Sequence, residues 1–445
     1  MRDFADANAW SQEEIDRARS LAASLRRNDP LRAIAARVPG RVNLIGEHTD
    51  YSNLPVLPAA IDRTTIVVAA ARNDRIVEAR NANSKFAARS FELSDKITPF
   101  DAGDWGNYVK AAVQGIVNHL QAGGRGSQLR GIDLIVDGRV PAAAGLSSSA
   151  ALTVAVTLVM TAVNEVEMAR LELAQMAALS ERYIGTMAGA MDQAAAVLGR
   201  RDHALFIEFD PLRVWPVPIP ADAALVVADS MEQADKSGKV RAEYNRRVVE
   251  CAIAARLAGK TLGLGNVRVL GDVVRQSPHR TIDELISALG DGSTVIGGLS
   301  EAAGLLEMNE SGLRVELFGS GANRRTIDEP GELKLRQRAR HVLSEAAPVN
   351  DAVAALRRGD LRAMGALMDD SHRSLAIDFE VSTERLDTMV ACARAAGAVG
   401  ARLTGAGFGG SILALCKRSN VPAVFAALDE EYYARIGLIF RSAIE

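Results

Sequence analysis

Residues 141–151, Pro-Ala-Ala-Ala-Gly-Leu-Ser-Ser-Ser-Ala-Ala, lead straight into an apolar helix-forming stretch. Unpaired backbone N–H groups at a helix start carry the positive end of its dipole, so a turn of small and hydroxyl residues there can cradle a phosphate. A Ser-rich turn can also be an ordinary N-cap. Three features favour phosphate: close backbone approach at Gly145, a rigid entry at Pro141, and consecutive hydroxyls on Ser147, Ser148 and Ser149. The chain contains no Gly-x-x-x-x-Gly-Lys-Ser/Thr motif and no dinucleotide fingerprint after a strand. A lysine-free phosphate loop with a nucleotide as its ligand is the expectation.

Two further segments carry chemistry. Residues 39–51, Pro-Gly-Arg-Val-Asn-Leu-Ile-Gly-Glu-His-Thr-Asp-Tyr, bring a guanidinium, two carboxylates and an imidazole into one strand-and-turn unit. Residues 399–412, Val-Gly-Ala-Arg-Leu-Thr-Gly-Ala-Gly-Phe-Gly-Gly-Ser-Ile, form a glycine-dense loop between a helix and an apolar strand. Glycines at that density weaken regular structure, so a tight turn against a ligand or a neighbouring backbone is expected.

The elements that position these residues follow from periodicity. A helix is predicted over 11–27, with Ser11 and Glu14 as a capping box, Ile15, Leu21 and Leu25 on or near one face, and Asp29-Pro30 as its stop. Strands over 34–45 and 56–71 flank a turn at 49–55, and 75–91 continues in polar, strand-like fashion. Helical spacing covers 105–120; a buried strand at 132–136 feeds the phosphate loop, and helices follow over 152–163 and 171–187. Strands at 204–209 and 223–228 enclose the turn Asp210-Pro211-Leu212, with a domain change expected near 210–222. Helices are predicted over 239–258, 332–346, 351–358, 361–372 and 383–396, whereas 261–332 has no clear period and receives no element. The closing order of helix, glycine loop, strand 411–416 and helix 421–433 reads as α+β.

Composition narrows the class. The 445 residues exceed one ordinary core, so two domains are expected. A net charge of −3 without long basic runs argues against nucleic acid as a partner. Cys251, Cys392 and Cys416 are scattered and lack Cys-x-x-Cys spacing, so they read as small apolar fillers. The chain start has no apolar signal core and no run of membrane-spanning length occurs, so no membrane partner and a cytoplasmic location are expected.

Together, the three motifs make the chain similar to the galactokinase branch of the GHMP sugar and metabolite kinases, from about residue 35 to about residue 435. Gly-Arg-Val-Asn-Leu-Ile-Gly-Glu-His-Thr-Asp-Tyr carries the resemblance to that branch. Within it, Ser180-Glu181-Arg182-Tyr183-Ile184-Gly185-Thr186 and Gly189-Ala190-Met191-Asp192-Gln193 look more like N-acetylgalactosamine kinase, while Glu243-Tyr244-Asn245 looks more like galactokinase. The resemblance implies an α+β GHMP kinase fold. Its N-terminal domain (1–214) would be like the second domain of ribosomal protein S5 and its C-terminal domain (215–445) ferredoxin-like, with the active site between them.

It also implies roles. Asp192 would lie beside the acceptor hydroxyl, as general base or electrostatic group, with a helix N-cap as its ordinary alternative. Arg41 would pair with Asp192 and compensate phosphoryl charge. Glu47, His48, Asp50, Gly189 and Tyr244 would contact sugar. Gly145, Ser147, Ser148 and Ser149 would hold phosphates, and Trp105 and Tyr108 would line the adenine pocket or simply pack at helical spacing. Ser149 and Glu181 would supply oxygens to Mg2+, the ligand type this hard ion takes. The implied reaction is ATP- and magnesium-dependent phosphorylation of the C1 hydroxyl of galactose by a monomer or weak oligomer. N-acetylgalactosamine kinase and a catalytically silent sugar sensor stay open as alternatives, the latter disfavoured by the intact 147–151 loop. The chain departs from the branch at Ser52-Asn53-Leu54-Pro55, where Asn-x-Gly is usual after Asp-Tyr, and at Ser411, where cysteine is usual.

Overall fold

The first helix shows how local sequence sets structure here: Ser11 Oγ accepts from the Glu14 N–H, and the Glu14 carboxylate accepts from the Ser11 N–H. This closes the capping box that starts α1 (Gln12–Ala23). The computed structural model describes residues 10–25, 33–124, 129–185, 187, 189–233, 239–290, 295–318 and 331–438. The proposed stop at Asp29-Pro30 lies outside the described residues. Two compact units share the chain in interleaved order. Unit 1 takes Met1–Arg41, Ala60–Ala142 and Ser147–Gly199; unit 2 takes Val42–Ala59, Ala143–Leu146 and Arg200–Glu445.

Unit 1 is built on β1 (Ile34–Asn43), β2 (Pro58–Ala71), β3 (Ile76–Asn81), β4 (Arg89–Glu92) and β5 (Ile132–Gly138). The strand order is β4-β3-β5-β2, with β1 paired to β2; β3 runs parallel to β5 and the other registered pairs are antiparallel. Alternation along β2 sends Ile66, Val68 and Ala70 to the face where Leu21 and Leu25, from the first helix and its end, pack with Ile135. Helices α2 (Gly106–Ala122), α3 (Ser148–Val163), α4 (Arg170–Glu181) and α5 (Met191–Leu198) pack against one another, and α3 also meets β5. The helix predicted over 171–187 ends early, at Glu181, in a 3-10 turn closed by Gly185 in the left-handed region. A glycine there terminates the helix because it alone adopts that conformation freely. The polar, strand-like stretch 75–91 holds the antiparallel pair β3 and β4.

Unit 2 carries β6 (His203–Glu208), β7 (Arg213–Pro218) and β8 (Ala223–Asp229), then α6 (Lys239–Leu262). The first residues of β2 also belong to unit 2, where Ala59 pairs with Ala204. Strand β7 was not foreseen: Pro216 and Pro218 argue against a strand, and they are tolerated because β7 pairs only with β6, at a sheet edge. The described residues of the unassigned region hold four short helices, α7 (Leu270–Gln276), α8 (Ile282–Ser287), α9 (Leu299–Leu305) and α10 (Glu310–Phe318), each too brief to show a period. After them come α11 (Leu335–Ala346), α12 (Val349–Arg358), α13 (Leu361–Ile377), α14 (Glu384–Ala395), β9 (Gly400–Thr404), β10 (Ser411–Lys417) and α15 (Val421–Ala427). An antiparallel sheet in the order β8-β10-β9 is covered by α13 and α14.

Helix α13 reaches β9 through two glycines. A Cβ on Gly365 would sit 2.1 Å from the Val399 carbonyl oxygen, and one on Gly400 would sit 2.3 Å from that of Gly365. Propensity alone predicts that Gly365→Ala, inside a helix, gains about 1 kcal/mol. The backbone clash outweighs it, so Gly365→Ala is expected to lose about 2–3 kcal/mol in urea unfolding; a stabilised variant would refute this packing.

Candidate active site

In unit 1 the chemistry converges on Asp192. It occupies the first turn of α5, whose N-cap is Ala190, so its carboxylate is not the helix cap. Arg41 Nε donates to Oδ1 at 2.7 Å and Ser147 Oγ donates to Oδ2 at 2.5 Å. The Arg41 side chain is 4% exposed and that of Asp192 18%, so the pair is largely shielded while the carboxylate retains access to solvent. Ser147 precedes α3 with φ 60° and makes no side-chain cap bond. The ordinary capping explanation of the serine run therefore fails at Ser147, whose hydroxyl serves Asp192 instead. Ser148 and Ser149, both partly buried, open α3.

Other unit 1 candidates are more ordinary in surroundings. The buried Trp105 N-caps α2, its indole N–H donates to the Ala87 carbonyl at 2.9 Å, and Phe86 stands edge-on to it. Tyr108 is partly buried one turn later. Glu181 is buried at the end of α4, and Gly189 lies just before α5. The Glu181 carboxylate and the Ser149 hydroxyl are hard-oxygen donors of the type Mg2+ takes. Among the described residues no group of three or more His, Cys, Asp or Glu could hold a metal ion.

Unit 2 holds the remainder of the 39–51 segment around a buried charge cluster. Glu47 Oε2 accepts from Arg402 Nη2 at 3.2 Å and from the Gly405 N–H at 3.0 Å. Arg402 Nη1 lies 3.4 Å from Glu345, whose Oε1 accepts the N–H groups of Gly46 and Glu47 and the Ser371 hydroxyl. His48 adopts φ 63°, and its Nε2 faces the Ala406 carbonyl, which can only accept, so Nε2 carries the proton. Its Nδ1 meets Tyr51 Oη at 3.1 Å, and burial together with nearby Cys251 and Tyr244 pushes the Tyr51 phenol well above its ordinary range, keeping it a donor. Asp50 begins a 3-10 turn and accepts the Tyr51 N–H. Tyr244, on α6, is buried with its ring 5.5 Å from that of His48.

The glycine loop meets the phosphate-loop residues that belong to unit 2. Gly145 has φ +75°, and a Cβ there would lie 2.7 Å from the Thr404 carbonyl oxygen; one on Gly405 would lie 2.4 Å from that of Gly145. Ser411, the unusual residue after the loop, donates its hydroxyl to the Ala144 carbonyl at 2.8 Å.

The family models match in three places. Residues 26–71 match the galactokinase galactose-binding signature, 107–200 the GHMP kinase N-terminal domain and 352–434 the GHMP kinase C-terminal domain. A galactokinase of Chloroflexus aurantiacus is 39% identical over 405 residues, which is 90% of this chain and 88% of that protein. One of Dictyostelium discoideum is 34% identical over 430 residues, 90% of this chain and 84% of its own. The chain belongs to the galactokinase family. A crystal structure of Lactococcus lactis galactokinase complexed with galactose matches it with TM-score 0.72 at 30% identity, covering 92% of this chain and 91% of its own. The mevalonate kinase of Methanococcus jannaschii, TM-score 0.55 at 17% identity, shares the GHMP kinase fold.

Sequence reading of this galactokinase-family chain missed Arg402 and Glu345. The available signal was a lone arginine inside the apolar run at 401–403 and a glutamate beside the apolar face of α11. Arg402→Met leaves Glu47 and Glu345 buried together without a cation and is expected to cost about 3–5 kcal/mol. Urea unfolding checks this, and a loss below about 1 kcal/mol would show the cluster to be energetically idle.

Proposed function

We propose that this chain transfers the γ-phosphoryl group of ATP to the anomeric C1 hydroxyl of galactose, forming α-galactose 1-phosphate. The observation that carries the reading is Asp192, with one oxygen held by Arg41 and the other by Ser147 at the start of α3. Family membership, the matched galactose-binding signature and the similarity to a galactokinase complexed with galactose support it.

Phosphoryl transfer requires an acceptor oxygen in line with phosphorus and compensation of the spreading negative charge. Asp192 orients the C1 hydroxyl and takes its proton as the new P–O bond forms and the bond to ADP breaks. Arg41 offsets the charge gathered there and keeps the carboxylate aimed. Gly145, Ser147, Ser148 and Ser149 bring backbone N–H groups and hydroxyls to the phosphates. Asp50, His48, Tyr244 and Gly189 face the sugar together with Glu47, whose Oε2 also has a structural duty toward Arg402. Trp105 and Tyr108 line the adenine site. Ser149 and Glu181 would hold Mg2+, which supplies charge neutralisation on the phosphates when bound.

The family domains are assigned as 1–214 and 215–445, each containing one of the matched GHMP models. A cytoplasmic monomer or weak oligomer is part of the same proposal. Among the described residues no helix is long and apolar enough to cross a membrane.

ADP release measured with galactose, N-acetylgalactosamine and no sugar tests the reading. Galactose is expected to give the highest kcat/KM; preference for N-acetylgalactosamine, the substrate of the kinase that the 189–193 motif resembles, would reassign the substrate, and turnover of neither would favour a sensor. Asp192→Asn is expected to lower kcat by at least about 100-fold while calorimetry still detects sugar binding. Unchanged turnover would remove Asp192 from the mechanism. Chelation by EDTA is expected to abolish ADP release and added Mg2+ to restore it; full activity in EDTA would exclude a metal requirement.

A further inference from the structure

Behind His48 lies a corner of chain outside the galactose-binding signature, within the stretch that matches the GHMP kinase C-terminal domain. Residues 378–380 follow α13, and Phe379 is fully buried with its ring 4.8 Å from that of His48 and 4.4 Å from that of His341. Two buried arginines grip the backbone of this corner. Arg338 Nη1 donates to the Asp378 carbonyl at 2.6 Å, Arg247 Nε to that of Phe379 at 2.8 Å, and Arg247 Nη2 to that of Glu380 at 3.2 Å.

The guanidinium groups are themselves anchored. Arg338 Nε donates to Glu250 at 2.9 Å and its Nη2 to Glu380 at 2.7 Å, and Lys334 Nζ adds a second bond to Glu380. Glu380 is held at φ 55°, a conformation that a non-glycine residue keeps only when its surroundings dictate it. Arg247 lies one turn after Tyr244 on α6, so the helix that carries Tyr244 also carries half of the grip. On the far side of the corner, the Phe408 N–H of the glycine loop donates to the Val381 carbonyl at 2.7 Å.

A hydrophobic wall needs only apolar side chains. Three consecutive carbonyls taken by two buried, paired arginines is far more costly to build than such a wall requires. We propose that Arg247 and Arg338 are positioning residues for the sugar site: they fix the 378–380 corner so that Phe379 sets the place of the His48 ring and, through α6, of Tyr244. The inference rests on the assignment of His48 and Tyr244 to sugar binding. It also carries a specificity consequence, because displacement of the corner moves the sugar-facing residues without touching groups that handle nucleotide.

The test uses the full chain carrying Phe379→Leu, which shrinks the ring, and separately Arg247→Lys, which keeps the charge but cannot bridge two carbonyls. A core truncation elsewhere in unit 2, Val424→Ala, serves as the stability control. Galactose affinity is measured by calorimetry, and KM for galactose and for ATP by ADP release. Both test variants are expected to weaken galactose binding and raise its KM about tenfold, with KM for ATP within about twofold of the parent. Val424→Ala is expected to lower the melting temperature without moving either KM. If Arg247→Lys fails to fold, Phe379→Leu alone decides. Equal changes in both KM values, or unchanged galactose affinity in Phe379→Leu, would overturn the positioning role while leaving the sugar-kinase reading intact. Failure of the parent chain to bind galactose would sink both.

Discussion

A turn that leaves a sheet must find acceptors for its N–H groups, and the turn at 46–48 finds them in one buried carboxylate. Glu345 accepts from Gly46 and Glu47, Arg402 balances the charge, and Glu47 returns a carboxylate to Arg402 and to the Gly405 N–H. An ion pair at 3.2 Å contributes about 5 kcal/mol at an effective dielectric constant near 20. Desolvation costs several kcal/mol per ion, so the net stabilisation is small. What the cluster supplies is one definite turn conformation. Gly46, Glu47 and the His48 that follows them take their places from it.

Strain follows the same logic. Ser147, His48, Glu380 and Phe408 all hold positive φ without being glycine, at a cost on the order of 1 kcal/mol each. Each is pinned by specific bonds: Ser147 by Asp192, His48 by Tyr51 and Ala406, Glu380 by Arg247 and Arg338, and Phe408 by Val381. Folding energy thereby holds groups in place before a ligand arrives, which lowers the ordering cost of binding. Strain of this kind also occurs at turns remote in sequence from the motifs, such as Glu165 and Asn266, so it acquires functional meaning only together with the bonds.

Elements governed by local chemistry were legible in the sequence. The Ser11–Glu14 cap, the apolar run of β2, the apolar face of α2 and the phosphate-loop helix all follow from neighbours within a few residues. Elements governed by distant partners were not. Strand β7 contains two prolines that only an edge position excuses, and the arginine inside β9 reads as exposed until Glu47 and Glu345 are seen beside it. The family resemblance singled out Arg41, His48 and Asp192, while Phe379 and Arg338 carry no local mark: a lone aromatic between two acids after a helix resembles a surface turn. Their importance comes from partners in distant stretches of the chain, which no window of sequence contains.

The start of α3 poses an electrostatic problem whose solution explains why Arg41, Asp192 and Ser147 occur together. Helix N-terminal N–H groups attract anions, and a carboxylate placed beside them competes with the phosphates they are proposed to bind. Ser147 worsens the contest by tethering Asp192 to that very turn. Arg41 resolves it, because a shielded guanidinium 2.7 Å from the carboxylate leaves the pair close to neutral. The proposed nucleotide would then meet no net negative wall, while the second carboxylate oxygen keeps its direction. With Arg41 removed, the same geometry would set an uncompensated carboxylate beside the proposed phosphate site, so under that proposal the cation serves the nucleotide side as well as the acceptor side of the reaction.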